Sequence, residues 1–171
     1  MMWLAAALWL SACETVPPPA APPPPPPLPT MPVFPWATAT PAQVRGELVR
    51  WFRAAGYQEF QIAALAEHAR IESGFRPCAS GAAGLRYIYQ WGGTRREHLY
   101  AFAGARTCPP LETQLAFAND ELRNDPKFAC FWDATTAHAA LAALRRGFGL
   151  GNCDVVVVHR SHRRRLPARR S

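Results

Sequence analysis

The chain has 171 residues, including 18 prolines, five cysteines and 19 Lys+Arg against 12 Asp+Glu. This excludes a collagen-type repeat, two ordinary domains and a multi-pass membrane protein. The averages hide a segregated layout. Thirteen of the 18 prolines fall between Pro17 and Pro41, and residues 1–37 carry a single charged side chain, Glu14. Residues 38–153 hold 13 basic and 10 acidic groups, whereas residues 154–171 hold six Arg and one Asp. The net charge of +7 therefore resides mostly on the C-terminal segment. The central part is nearly neutral and, at roughly 110–120 residues, long enough to bury a core of its own.

In chain order, residues 3–10 (Trp-Leu-Ala-Ala-Ala-Leu-Trp-Leu) form a short apolar run. It falls well below the ~20 residues of a membrane-spanning helix and suits the apolar part of a signal peptide. No Lys or Arg precedes it. The run ends in Leu10-Ser11-Ala12-Cys13, which resembles a bacterial lipobox. The resemblance implies a signal peptide over 1–12, a lipidated Cys13 and attachment to the membrane through that lipid. Glu14, rather than Asp, after the cysteine points to the outer membrane. From Val16 to Trp36 the chain is Pro-rich, so neither helix nor sheet forms easily. A polyproline II tether over 13–37 is expected, spanning on the order of 60 Å at about 3.1 Å per residue.

Cys78, Cys108, Cys130 and Cys153 remain. Four cysteines in an exported domain predict two disulfides, with three pairings possible. Cys78–Cys108 with Cys130–Cys153 is preferred because each closes a short local loop. Zinc-type Cys/His spacing is missing, and no metal or other cofactor is expected.

Helical patterning fills residues 41–147. Pro41 opens a helix with Val44, Leu48, Trp51 and Phe52 on one face, stopping at Gly56. A second is expected over Gln58–Ser73, with Ile62, Leu65, Ala66 and Ala69 inward and Gly74 as the stop. Gly81–Gly93 reads as irregular, with a short hairpin at Tyr87–Trp91. Thr94 is expected to cap a helix through Phe102. Pro110 starts another, with Leu111, Leu115, Ala118 and Leu122 inward, and Asp133 is expected to cap the last, which ends at Arg145-Arg146-Gly147. The expectation is a small, mainly α domain over 38–153, stapled by up to two disulfides.

Glu72 stands out on chemistry alone. It occupies the last turn of a predicted helix, where the partial negative charge of the helix end disfavours a carboxylate. That field and any burial raise its pKa, and a carboxylic acid kept protonated near neutral pH is what a general acid requires. His68 lies one turn back on the same face. The plainer reading is an exposed glutamate that tolerates its position.

The segment Ala69-Arg70-Ile71-Glu72-Ser73-Gly74-Phe75-Arg76-Pro77 resembles the Glu-Ser-x-Phe-x-Pro motif of goose-type lysozymes and soluble lytic transglycosylases. Gly81-Ala82-Ala83-Gly84-Leu85 is similar to that superfamily's Gly-Ala-x-Gly-Leu segment. Gln90-Trp91-Gly92-Gly93-Thr94-Arg95-Arg96, with Leu99 and Phe102, resembles its phage-tail-lysozyme branch. Leu111-Glu112-Thr113-Gln114-Leu115, Phe117 and Glu121-Leu122 resemble that branch's next helix. The likeness spans about residues 58–147. It implies a lysozyme-like fold, Glu72 as catalytic acid, and Ser73, Gly84, Leu85, Gln90 and Trp91 along the glycan path. For Gln90 and Trp91, simple packing, with Trp91 in the core, is an equal alternative. Arg86-Tyr87-Ile88-Tyr89 is an apparent insertion of about three residues in the segment expected to shape the cleft floor.

The reaction so implied cleaves the β-1,4 bond between N-acetylmuramic acid and N-acetylglucosamine in peptidoglycan, on the periplasmic side of the envelope. A transglycosylase needs no second carboxylate, because the muramyl 6-hydroxyl closes onto C1. A hydrolase needs an activated water, for which Glu97 and Asp120 are candidates. The competing class is a lipoprotein that binds glycan, or anchors an envelope machine, without turnover. The segment Asp154–Arg165 joins Val155–Val158 to His159, His162 and an arginine cluster. In an exported chain it suits a solvated tail, anionic lipid or wall polymer better than nucleic acid.

Overall fold

The computed structural model describes residues 35–149. The expected signal peptide, Cys13, most of the tether, Cys153 and the basic tail lie outside the described residues. The described residues form six α-helices: α1 (Pro41–Ala54), α2 (Glu59–Ser73), α3 (Gly93–Ala103), α4 (Leu111–Asn124), α5 (Ala129–Trp132) and α6 (Ala137–Phe148). No strand is formed among the described residues, only isolated antiparallel bridges pairing Ser80 with Arg86 and Arg86 with Trp91. The domain is mainly α, as its patterning predicts.

Thr40 and Gln43 start α1 with a reciprocal capping box, and Pro41 occupies the first turn, where its missing N–H costs nothing. The predicted stripe Val44, Leu48, Trp51 and Phe52 is fully buried. α2 is buried on most of its circumference, through Gln61, Ile62, Ala64, Leu65, Ala66, His68, Ala69 and Ser73. A helix enclosed in this way is the centre of the domain rather than a surface stave. α1 and α6 both pack against it, and alanines on α2 and α6 let the two backbones approach. Gly74 closes α2 at φ 60°, a left-handed conformation that glycine adopts without a Cβ penalty.

Two helix starts differ from the pattern-based expectation. α3 runs from Gly93, so Thr94 lies in its first turn rather than capping it; Gly93 itself has a positive φ of 50°. α6 is capped by Thr136, whose side chain accepts from the Ala139 N–H at 3.2 Å. Asp133 instead closes α5, its N–H donating to the Ala129 carbonyl at 3.1 Å. α5 and the 3-10 turn Pro126–Phe128 before it are too short to show a helical period.

Between α2 and α3 the backbone is strained. Phe75, Ala83, Tyr87 and Gln90 all adopt positive φ, which is uncommon for residues with a side chain and is held only where packing over-determines it. The packing is visible. Arg86 and Trp91 exchange both backbone hydrogen bonds, at 3.0 and 2.8 Å, around the turn Tyr87–Gln90. Within that turn Tyr87, Ile88 and Tyr89 are buried. The apparent insertion Arg86–Tyr89 therefore supplies core side chains. Gln114 of α4, fully buried, accepts from the Ile88 N–H at 3.1 Å and donates to the carbonyls of Pro77 and Pro109 at 3.0 and 2.8 Å. The Cys78–Cys108 disulfide, with Cα atoms 5.6 Å apart, ties the same two loops together. Cys130 is also disulfide-bonded, and the pairing with Cys153 expected for it falls outside the described residues.

Candidate active site

Glu72 stands in the final turn of α2, two residues before the Gly74 cap. Its side chain is 30% exposed, so it reaches solvent while much of its surface is desolvated. Desolvation raises its pKa above the ordinary glutamate value, and Arg145 on α6 acts against that rise without cancelling it. Its nearest basic partner is not a permanent cation. The Nδ1 of His68 lies 3.7 Å from Glu72 Oε1.

His68 is 1% exposed. Its ring lies nearly parallel to Tyr89, at 5.7 Å and 16°, and to Phe148, at 4.8 Å and 13°. Burial lowers its pKa to about 4, with Arg95 and Arg145 acting in the same direction. At neutral pH the ring is uncharged, and it does not pull Glu72 into an ion pair. The two effects support one another: an imidazolium would favour the carboxylate, whereas a neutral imidazole leaves the acid's pKa raised.

The other sequence-predicted residues do not converge on Glu72. Ser73 is buried, with its Oγ donating to the Ala69 carbonyl at 3.0 Å; it finishes the helix. Trp91 is fully buried and packs edge-on against Tyr89 and Phe117. Of the two readings open for it, the core reading is what the structure shows. Gly84 offers its carbonyl to the Arg96 guanidinium at 2.7 Å. Leu85 and Gln90 line a groove of about 570 Å³ together with Ala83, Thr94, Phe148 and Gly149. The Gln90 amide is fixed there by donating to the Tyr87 carbonyl at 2.9 Å. Gly81 packs so closely against its Oε1 that a Cβ would collide with it.

A second groove, about 620 Å³, shares Arg95 and Lys127 with the first and contains Phe102, Phe117, Asp120 and Asn124. Phe102 is 48% exposed on its floor. Glu72 lines neither groove, but Phe148 joins its setting to the first one, being in contact with His68 on one side and with the Arg95 guanidinium, 4.5 Å from its ring centre, on the other. The two carboxylates considered for water activation are engaged elsewhere. Glu97 pairs with Arg106 at 2.9 Å, and Asp120 accepts from Asn124 at 2.7 Å.

One important carboxylate enters the sequence reading only through the likeness of Glu121-Leu122, with no sign of what it bonds. Glu121 of α4 accepts two bonds from Arg95, at 2.7 and 2.6 Å, and a third from the Trp91 indole N–H at 2.8 Å. This clamp joins α4 to α3 and to the Tyr87–Gln90 turn. Its partners lie 26 and 30 residues away along the chain, beyond any local pattern.

No protein-family model, curated protein or solved structure matches the chain. The functional reading accordingly stands on the residues and their chemistry.

Proposed function

We propose that the protein is a peptidoglycan-cleaving glycosidase of the lysozyme or lytic transglycosylase type, with Glu72 as the general acid. The observation that carries this reading is Glu72 itself: a half-desolvated carboxyl at a helix C-terminus, with a raised pKa and a neutral histidine for its neighbour. Such a group is protonated further toward neutral pH than an ordinary glutamate and reaches solvent to deliver the proton. Glu72 protonates the glycosidic oxygen as the bond to C1 of the muramyl residue breaks and oxocarbenium character develops. In the transglycosylase form the muramyl 6-hydroxyl then attacks C1 and returns its proton to Glu72. The engagement of Glu97 and Asp120 with other side chains favours this form over a hydrolase that uses one of them.

The lipobox-like Leu10–Cys13 and the Pro-rich spacer support an outer-membrane lipoprotein facing the periplasm, with the domain held at the distance of the wall polymer. Binding of glycan without turnover is the second reading. It is favoured by the burial of Trp91 and by the absence of Glu72 from the lining of the two described grooves.

A peptidoglycan zymogram separates these readings. Wild-type protein is expected to clear the gel and Glu72→Gln to leave it opaque. Equal clearing by both proteins removes Glu72 from the mechanism, and retention on sacculi without clearing by either supports the binding role.

A further inference from the structure

We propose that His68 is a positioning residue for Glu72: its Nδ1–H is directed at Oε1, which keeps the transferable proton on Oε2 and holds the carboxylate after that proton has left. The proposal rests on the glycosidase reading for its catalytic meaning, but its structural content can be tested without any turnover.

The geometry is specific. His68 and Glu72 are four residues apart on α2, so their side chains share a face. Nδ1 stands 3.7 Å from Oε1, just outside hydrogen-bonding range. Among the described residues neither ring nitrogen has a hydrogen-bond partner, although both are buried. Unpaired buried polar groups are costly and rare in native structures, so an imidazole left with one carboxyl in reach is poised toward it. Tyr89 and Phe148, both nearly parallel to the ring, hold its plane. The charged and titratable groups acting on the pair from the surrounding elements are Arg95 of α3, Arg145 of α6 and Tyr89 of the turn before α3. Arg95 is itself engaged by Glu121, so it is not available to bond Glu72.

A neutral imidazole carries one N–H and one lone pair. If Nδ1 held the lone pair, it would draw the Glu72 proton toward the protein interior, away from a glycosidic oxygen. With N–H at Nδ1, Oε1 is the acceptor and the acidic proton sits on Oε2. When Oε2 gives that proton to the leaving oxygen, the same N–H bonds the new carboxylate. A hydrogen bond to a charged group is stronger than one to a neutral group, so the contact strengthens as the proton departs.

The test is heteronuclear NMR of the full chain, reading the His68 ring nitrogens and the Glu72 carboxyl carbon across a pH titration. In the wild type, an Nδ1–H tautomer is expected, and an Nε2–H tautomer overturns the proposal. His68→Phe keeps a flat buried ring but removes the donor. It is expected to raise the proton affinity of Glu72 by about tenfold or more, and an unmoved titration overturns the proposal. His68→Asn restores a donor near Nδ1 and is expected to return the Glu72 titration to within about threefold of wild type. The wild-type tautomer decides the matter even if the phenylalanine variant does not fold. If the wild type releases nothing from peptidoglycan, the glycosidase reading fails, while the tautomer and titration still decide the pairing.

Discussion

Glu72 and Glu121 are both partly buried helix glutamates, and their surroundings are opposite. Glu121 is only 10% exposed and accepts three charge-assisted or indole hydrogen bonds, from Arg95 and Trp91. Glu72 is 30% exposed, lies at the unfavourable end of its helix and faces a neutral imidazole across 3.7 Å. The first arrangement uses a carboxylate as a clamp between elements. Among the described residues the second pairs its carboxyl with no Lys or Arg and leaves only a neutral imidazole beside it, which is unhelpful for stability and suitable for proton transfer. Residue type alone does not distinguish the two settings; what each oxygen is bonded to does.

The comparison can be broken in several ways, the largest of them on activity. Glu72→Gln is expected to lower glycan cleavage by about 10²–10⁴-fold, the usual range for a lost general acid, with helical circular dichroism unchanged. Glu121→Ala should act through stability. It leaves Arg95 and the Trp91 N–H without their acceptor and is expected to cost about 3 kcal/mol in urea unfolding. An Ala variant at Glu121 as stable as the wild type would show that the clamp contributes nothing.

The pH dependence of stability probes His68. Its folded-state pKa is about 4, below the unfolded value of about 6.5. Above pH 6.5 the ring is neutral in both states. As pH falls from 6.5 toward 4 only the unfolded chain takes up the proton, and stability falls by about 3 kcal/mol in all. His68→Phe should flatten that part of the profile. Smaller again is Gly147→Ala, in which the new Cβ would stand 2.5 Å from the Phe128 ring. About 1–3 kcal/mol of overpacking is expected, read as a lower urea midpoint. The smallest effect concerns Glu72 itself. Its pKa is raised by burial, so ionisation destabilises the fold as pH rises. Glu72→Gln should therefore be slightly more stable than wild type at pH 8 and indistinguishable at pH 3, with a gain kept small by solvent screening.

Much of the fold was legible in the sequence because its signals are local. Pro41, the apolar stripe to Phe52, the run to Ser73 and the Gly74 stop each depend on neighbours within a turn or two, and the helices form where those signals stand. Glu72 was legible for the same reason: its position against the helix end is a local fact. α5 was not, since four residues hold no period, and without it Asp133 reads as the start of α6 rather than the end of α5. The setting of Glu72 was also hidden. His68 became a buried neutral ring only through Tyr89 and Phe148, which the chain brings back from far along its length. The same distance hid the Glu121 clamp. Trp91 looked equally suited to core and ligand path, and only the packing of Phe117 and Tyr89 around it places it in the core.

Mass spectrometry of purified peptidoglycan after incubation with wild-type and Glu72→Gln protein tests the central claim most directly. The account predicts soluble muropeptides from the wild type, with 1,6-anhydro-muramyl ends for a transglycosylase or reducing ends for a hydrolase, and essentially none from the variant. Identical muropeptides from both proteins, or none from the wild type, would contradict it.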